Sequence, residues 1–240
     1  VCGFAHAEDT SISYIQEKGT FILGLDDSFP PMGFRDENNE IVGFDIDVSK
    51  VVAEKLGVPF FDKEVIDLAV EKSGFSREMI ESAELKAKSS FAYNLASALN
   101  LSEGIGASPL SVNEKLFLAQ FDVIKEISEN NEGVIVGRCA DYILKDMPGV
   151  TNVFIYAETE DRLKRAVEEY GDNPEKIAHT VATIDKARQN YYNYHTCQKW
   201  GDYRNYNLSI NSSYITEEEA ASLIAEYVER RTYRDETRDE

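Results

Sequence analysis

The chain has 240 residues, enough for one large domain or two small ones, and can bury roughly three quarters of its unfolded surface without disulfides or metals. Its 25 Lys plus Arg stand against 44 Asp plus Glu; the net charge of −19 repels nucleic-acid phosphates and anionic membranes, so neither is expected as a main partner. At 42% apolar and 29% charged the composition is globular, and no apolar run approaches the ~20 residues that span a bilayer.

Residues 1–7 end in Ala5-His6-Ala7, a small-x-small pattern left by secretory cleavage, without the basic and apolar parts of a signal peptide. Export therefore stays open. Five apolar runs predict strands at 20–25, 58–61, 133–136, 152–157 and 207–211. The central ones are rich in Val, Ile and Phe without polar alternation, as parallel strands covered on both faces are. Apolar residues at three and four spacing predict helices over 44–56, which stops at Gly57, and over 63–73, 116–128, 160–170 and 217–231. A further helix in IDKARQNYY leads into YYNYHTCQKW, and residues 232–240 form a charged tail. Strands alternating with helices imply a layered α/β sheet with ligands at the carboxyl ends of its strands.

In such a fold a glycine-rich turn after the first strand cradles phosphate with backbone N–H groups. No GxxxxGK[ST] occurs; the first strand leads instead into Asp26-Asp27-Ser28-Phe29-Pro30-Pro31-Met32-Gly33-Phe34, whose carboxylates and prolines do not suit a triphosphate. Gly104 and Gly106, in SEGIGAS, read as a plain loop. Cations gather in the second half. Arg138 follows the apolar run Val134-Ile135-Val136 through Gly137, where a guanidinium can grip phosphate or pair with Asp141; the two readings weigh evenly. Arg162 and Arg165 share one helix face, more often a solvated face than a site. Lys186 and Arg188 stand on a helix able to close over phosphates, with a surface helix as the plainer alternative. Cys2, Cys139 and Cys197 form no CxxC pair, favouring a reducing compartment; His6, His179 and His195 lack ligand spacing and are expected to be solvated. No metal is predicted.

PFFDKEVIDLAVEKSGFS, SPLSVNEKLF, GVIVGRCADYIL, VFIYAETEDRLKRAVE, IDKARQNYYNYHT, WGD and YNLSINSS, in that order, resemble the cytidylate kinase-like family over about residues 58–231. The resemblance implies an α/β, P-loop-kinase-like fold: a parallel sheet of about five strands flanked by helices, with a helical lid. It also implies a cytoplasmic protein that moves a phosphoryl group from ATP with Mg to a small nucleotide such as CMP. By the same resemblance Asp62 and Arg138 contact the acceptor nucleotide, Arg138 holding its phosphate, and Asp141 belongs with them. Arg162, Arg165, Lys186 and Arg188 are then lid-side cations for the transferring group, and Asp185 orients the lid. The family usually carries Asp where this chain has Asn207.

Residues 1–57 resemble something else. KGTFILGLD, FPPMGF and IVGFDIDV are similar to the start of a periplasmic amino-acid-binding protein of an ABC transporter, in which Asp26 helps hold the ligand and Phe29 stacks on it. The expected organisation is a solute-binding-protein-like strand, loop and helix at 1–57, a kinase-like domain at 58–231 and a tail at 232–240. The first β-α unit of the kinase fold is then substituted, and loss of the phosphate loop predicts weak or absent transfer. The alternatives are an amino-acid-binding module and a nonfunctional fusion or interaction domain; the oligomeric state is left open.

Overall fold

A computed structural model describes residues 21–23, 34–35, 41–61, 67, 70–71, 74–76, 112–130 and 133–236. Its elements in chain order are β1 (Phe21–Leu23), β2 (Phe34–Arg35), β3 (Ile41–Val42), α1 (Phe44–Leu56), β4 (Phe60–Phe61), α2 (Val112–Asn130) and β5 (Val134–Val136). There follow α3 (Ala140–Ile143), β6 (Asn152–Tyr156), α4 (Thr159–Glu168), α5 (Ile177–Thr196), a 3₁₀ turn at Tyr203–Asn205, β7 (Leu208–Asn211) and α6 (Glu217–Glu236).

Five strands form one parallel sheet in the order β4-β5-β1-β6-β7. Ile22 of β1 lies in register with Ile135 on one side and Asn152 on the other, so the first of the described strands sits at the centre of the sheet. All five strands read from sequence are present, with ends trimmed by up to two residues. One pair was not anticipated. β2 and β3 form an antiparallel ribbon, Phe34 opposite Val42, on the path between β1 and α1.

The alternation of strand side chains divides the core. Val134, Val136, Val153, Ile155 and Ile210 pack against Val48, Val52 and Leu56 of α1 and Ala220, Ile224 and Val228 of α6. Ile135 turns to the other face, against Leu116 and Ile124 of α2 and Ala140 and Ile143 of α3. Each such aliphatic side chain contributes about 1.5–3 kcal/mol on burial. α1 ends as expected: Gly57 takes φ 67 and its N–H bonds to the carbonyls of Ala53 and Glu54. α6 starts in a reciprocal cap, Glu219 N–H donating to Thr216 Oγ1 while Thr216 N–H donates to Glu219 Oε2 at 2.8 Å. The expected 63–73 helix lies largely outside the described residues, although Asp67, Val70 and Glu71 are helical.

α5 is the helix expected from sequence to serve as a lid. Its first half packs Ile177 and Val181 on Leu163, Ala166 and Val167 of α4. Its second half grips α2: the His195 ring stacks on Phe117 at 4.1 Å, and Tyr191 donates its hydroxyl to Gln120 Oε1 at 3.2 Å. The expectation of a solvated His195 is therefore corrected. Burial among Phe117, Tyr191 and Tyr194 pushes its imidazole down to about 4, against an opposing pull from Glu114. Among the described residues, no helix is long and apolar enough to cross a membrane.

Candidate functional site

The carboxyl end of β5 leaves the sheet through a turn of unusual backbone. Gly137, Arg138 and Cys139 are consecutive left-handed residues, with φ of 76, 56 and 57. Only glycine tolerates this freely; the two others cost about 1 kcal/mol or more each, and such strain concentrates where a side chain must be aimed. Here it aims Arg138. Its Nη2 donates to both carboxylate oxygens of Asp67, each at 3.2 Å, and both side chains are only 12% exposed. The pairing expected with Asp141 is not made; Asp67, 71 residues upstream, holds the guanidinium instead.

Asp141 serves a neighbouring network. It is buried, and its Oδ2 accepts the Tyr192 hydroxyl at 2.6 Å. Burial pushes its carboxyl above the usual range, opposed by the Tyr192 hydroxyl and by the backbone N–H groups of Tyr142 and of Asp141 itself. The Tyr192 oxygen also lies 3.1 Å from the Gln198 side-chain amide. Asn152 Nδ2 donates to the Asp141 carbonyl at 3.2 Å, tying the turn to β6. The departure at Asn207 costs nothing here: its amide oxygen accepts the Asn152 N–H at 2.7 Å, as a carboxylate would.

The cations expected at a lid lie in different surroundings. Arg162 and Asp185 are brought together, Nη1 and Nη2 each donating at 3.0 Å to a different carboxylate oxygen, in a fork that ties α4 to α5. Arg162 is mostly buried rather than on a solvated face. Arg165 lies 4.6 Å above the Phe44 ring, at the start of α1. Arg188 stacks over Trp200 at 5.1 Å, whose indole meets Phe154 edge-on. Lys186 is exposed on α5. Asp62, Asp26 and Phe29 lie outside the described residues.

The amino end of α1 is where a parallel α/β sheet of this order would receive phosphates. Its Gly43 N–H donates to the Asp47 carboxylate at 3.3 Å. Burial raises the Asp47 carboxyl, with Lys50 and the Gly43 N–H pulling it down. Glu217 is raised by burial and by the nearby Asp47 and Glu169, with Arg165 opposing. Tyr170 is raised by burial and by Glu169, Asp47 and Glu217 in turn. Lys50 and Arg165 thus face the carboxylates of Asp47, Glu169 and Glu217 around the helix start. The described residues there repel a polyanion.

Sequence reasoning missed Asp67, Tyr192 and Gln198, whereas Asp47 was expected, with Asp26, Asp27 and Asp45, to add negative charge near the phosphate position. One signal was available: a tyrosine in an apolar helix stretch needs a hydroxyl partner when buried. Among the described residues no three His, Cys, Asp or Glu side chains are grouped to hold a metal.

The Cytidylate kinase-like family matches residues 46–214, a stretch that begins inside α1. A crystal structure of an uncharacterized protein from Eubacterium ventriosum is similar over 89% of this chain and 99% of its own, with TM-score 0.60 and 23% identity. A shikimate kinase from Bacteroides thetaiotaomicron aligns over 88% of this chain and 98% of its own, with TM-score 0.43 and 14% identity. The L-cystine-binding protein TcyJ of Escherichia coli K12, and that of strain O6:H1, are 29% identical over 52 residues. That stretch is 22% of this chain, and the chain spans only 20% of the length of those curated relatives.

Proposed function

The chain belongs to the cytidylate kinase-like family, and on that premise we propose that it binds a small nucleotide such as CMP while its capacity to accept a phosphoryl group from ATP is impaired. The observation that carries this reading is the contrast between the two ends of the sheet's carboxyl edge. At β5 a strained turn presents Arg138, a planar donor suited to a phosphate monoester. At α1 the helix start already has its own carboxylate on the Gly43 N–H and acids around it, and the β2–β3 ribbon lies on the path where a phosphate cradle would be. The described residues at the helix start do not fit a triphosphate with Mg.

In this reading Asp62 and Arg138 are the acceptor contacts, and Asp141 acts beneath them by fixing the turn through Tyr192. Arg162 and Asp185 hold the lid helices together, with Arg165, Lys186 and Arg188 as its remaining cations. Residues 1–57 are a solute-binding-protein-like substitute for the first β-α unit of the domain at 58–231, whose last helix runs on through residues 232–236 of the expected tail; the chain is chimeric. The short similarity to the cystine-binding proteins supports this origin. An amino-acid-binding module using Asp26 and Phe29 is the second reading, and a cytoplasmic setting goes with the first.

Calorimetry with CMP and a transfer assay from ATP with Mg to CMP test the proposal together. CMP binding is expected in the wild type and lost in Arg138→Ala, with transfer at least about 10²-fold below the ~1–100 s⁻¹ usual for kinases. Transfer at that usual rate would refute the impaired donor site; unchanged CMP affinity in Arg138→Ala would remove Arg138 from the acceptor site.

A further inference from the structure

We propose that Asp141, Tyr192 and Gln198 form a two-way hydrogen-bond switch, in which the charge on Asp141 decides whether the Tyr192 hydroxyl points to the turn after β5 or to the carboxyl end of α5. The switch needs no ligand at Arg138, so it stands apart from the nucleotide reading.

The Tyr192 hydroxyl has one proton and two acceptors within reach: Asp141 Oδ2 at 2.6 Å and Gln198 Oε1 at 3.1 Å. An ionised carboxylate is the stronger acceptor, and the shorter distance matches it. Tyr206 adds to the same direction. Its oxygen takes the Gly201 N–H and its hydroxyl is hydrogen-bonded with Tyr192, so with Asp141 charged each donor points one step toward the carboxylate. Gln198 stays within reach because its main chain is pinned to the end of α5. Its N–H donates to Thr196 Oγ1 at 3.1 Å, and that hydroxyl donates to the Tyr192 carbonyl at 2.7 Å.

A proton taken up from solvent by Asp141 reverses the order. The neutral acid donates its O–H to the Tyr192 oxygen, and Tyr192 turns its own proton to Gln198 Oε1. No heavy atom need move and no buried donor loses its acceptor, which is what lets a buried carboxyl change charge inside a folded chain. Burial works in the same sense: Asp141 is 6% exposed, and its carboxyl is held above the ordinary range. The groups facing the network are Tyr192 and Arg188 of α5, Tyr206 ahead of β7, Cys139 of the turn and the Tyr142 N–H of α3, with Arg188 acting on Tyr206. Asn152 of β6 holds the Asp141 carbonyl. Two elements are thereby put in communication, since the charge at the start of α3 is read at the residue that follows the left-handed Cys197 cap of α5.

Isotope-edited NMR on the full chain tests this by following Asp carboxyl carbons and Gln side-chain amides against pH, with Asp141→Asn assigning the carboxyl. That carboxyl is expected to titrate above the ordinary ~3.9, with the Gln198 amide moving at the same midpoint. Tyr192→Phe should raise the midpoint and Gln198→Leu lower it, each by about 0.4–1 pH. Side chains that merely pack against Asp141 give no such opposite signs. A Gln198 amide that ignores the Asp141 midpoint overturns the switch, and so does a midpoint that Gln198→Leu leaves in place or raises. Acid unfolding before Asp141 titrates overturns it as well, because the neutral form has to exist in the folded chain. Should either variant fail to fold, co-titration in the wild type decides alone.

Discussion

Replacing Tyr192 by Phe removes one oxygen and leaves the ring volume in place, so its effect isolates the hydroxyl that Asp141 accepts at 2.6 Å. The carboxylate is buried and keeps only backbone donors once the phenol is gone. A buried acceptor stripped of its partner costs about 1–3 kcal/mol. For a chain of this length that lowers the melting temperature by roughly 2–12 °C. The deficit should depend on pH in a definite sense. Burial holds the folded Asp141 carboxyl above the unfolded value of about 3.9, so ionisation works against the fold as pH rises past 4. The Tyr192 hydroxyl limits that loss, and removing it raises the folded carboxyl further. Urea unfolding should therefore show a small deficit for Tyr192→Phe near pH 4 and the full deficit at pH 7.5. Equal deficits at both pH values, or a loss below about 0.5 kcal/mol at pH 7.5, would refute the assignment of the network.

His195 supplies the opposite sign. Its folded value of about 4 lies below the ordinary 6.5, so stability is complete above pH 6.5 and falls by up to about 3 kcal/mol as the unfolded chain takes up the proton between 6.5 and 4. His195→Phe should flatten the wild-type-specific part of that slope in urea midpoints, and an unaltered slope would sink the claim. Gly133→Ala places a Cβ 2.5 Å from Phe61 Cε2 and 3.0 Å from the Pro59 carbonyl oxygen. The ring can move and the carbonyl cannot, so a loss of about 1–3 kcal/mol is expected by thermal melting; a loss under 0.5 would mean that the β4–β5 edge yields.

The sheet was legible because its strands are locally encoded. Val134-Ile135-Val136 and Val153-Phe154-Ile155 have no polar alternation, which only a doubly covered strand permits. α1 was legible to its last residue because Gly57 ends it. β2 and β3 were not: two residues each carry no period, and only their pairing defines them. At the site, sequence placed Arg138 at the carboxyl end of a strand correctly, and offered, beside a phosphate, Asp141 or a neighbour as its partner. The actual partner, Asp67, comes from a segment that the crossover topology carries back to the turn, a relation no local spacing records. Arg162 likewise read as a surface residue until α5 folded back and brought Asp185 to it. Charge proximity along the chain is a poor guide where pairing is decided by element packing.

The central position of β1 bears on how the chain can be made and divided. Phe21 pairs with Val134, and the neighbouring Ile22 with Asn152, so the partners of β1 among the described strands are synthesised more than a hundred residues after it. Contacts of such long sequence separation form late and slowly. Cutting the chain at residue 57 would not release a smaller domain. It would split the sheet into a β4–β5 half and a β6–β7 half, each with a raw edge that can recruit strands from other molecules. β1 is thus the keystone of the sheet, inseparable in folding from the strands that follow it.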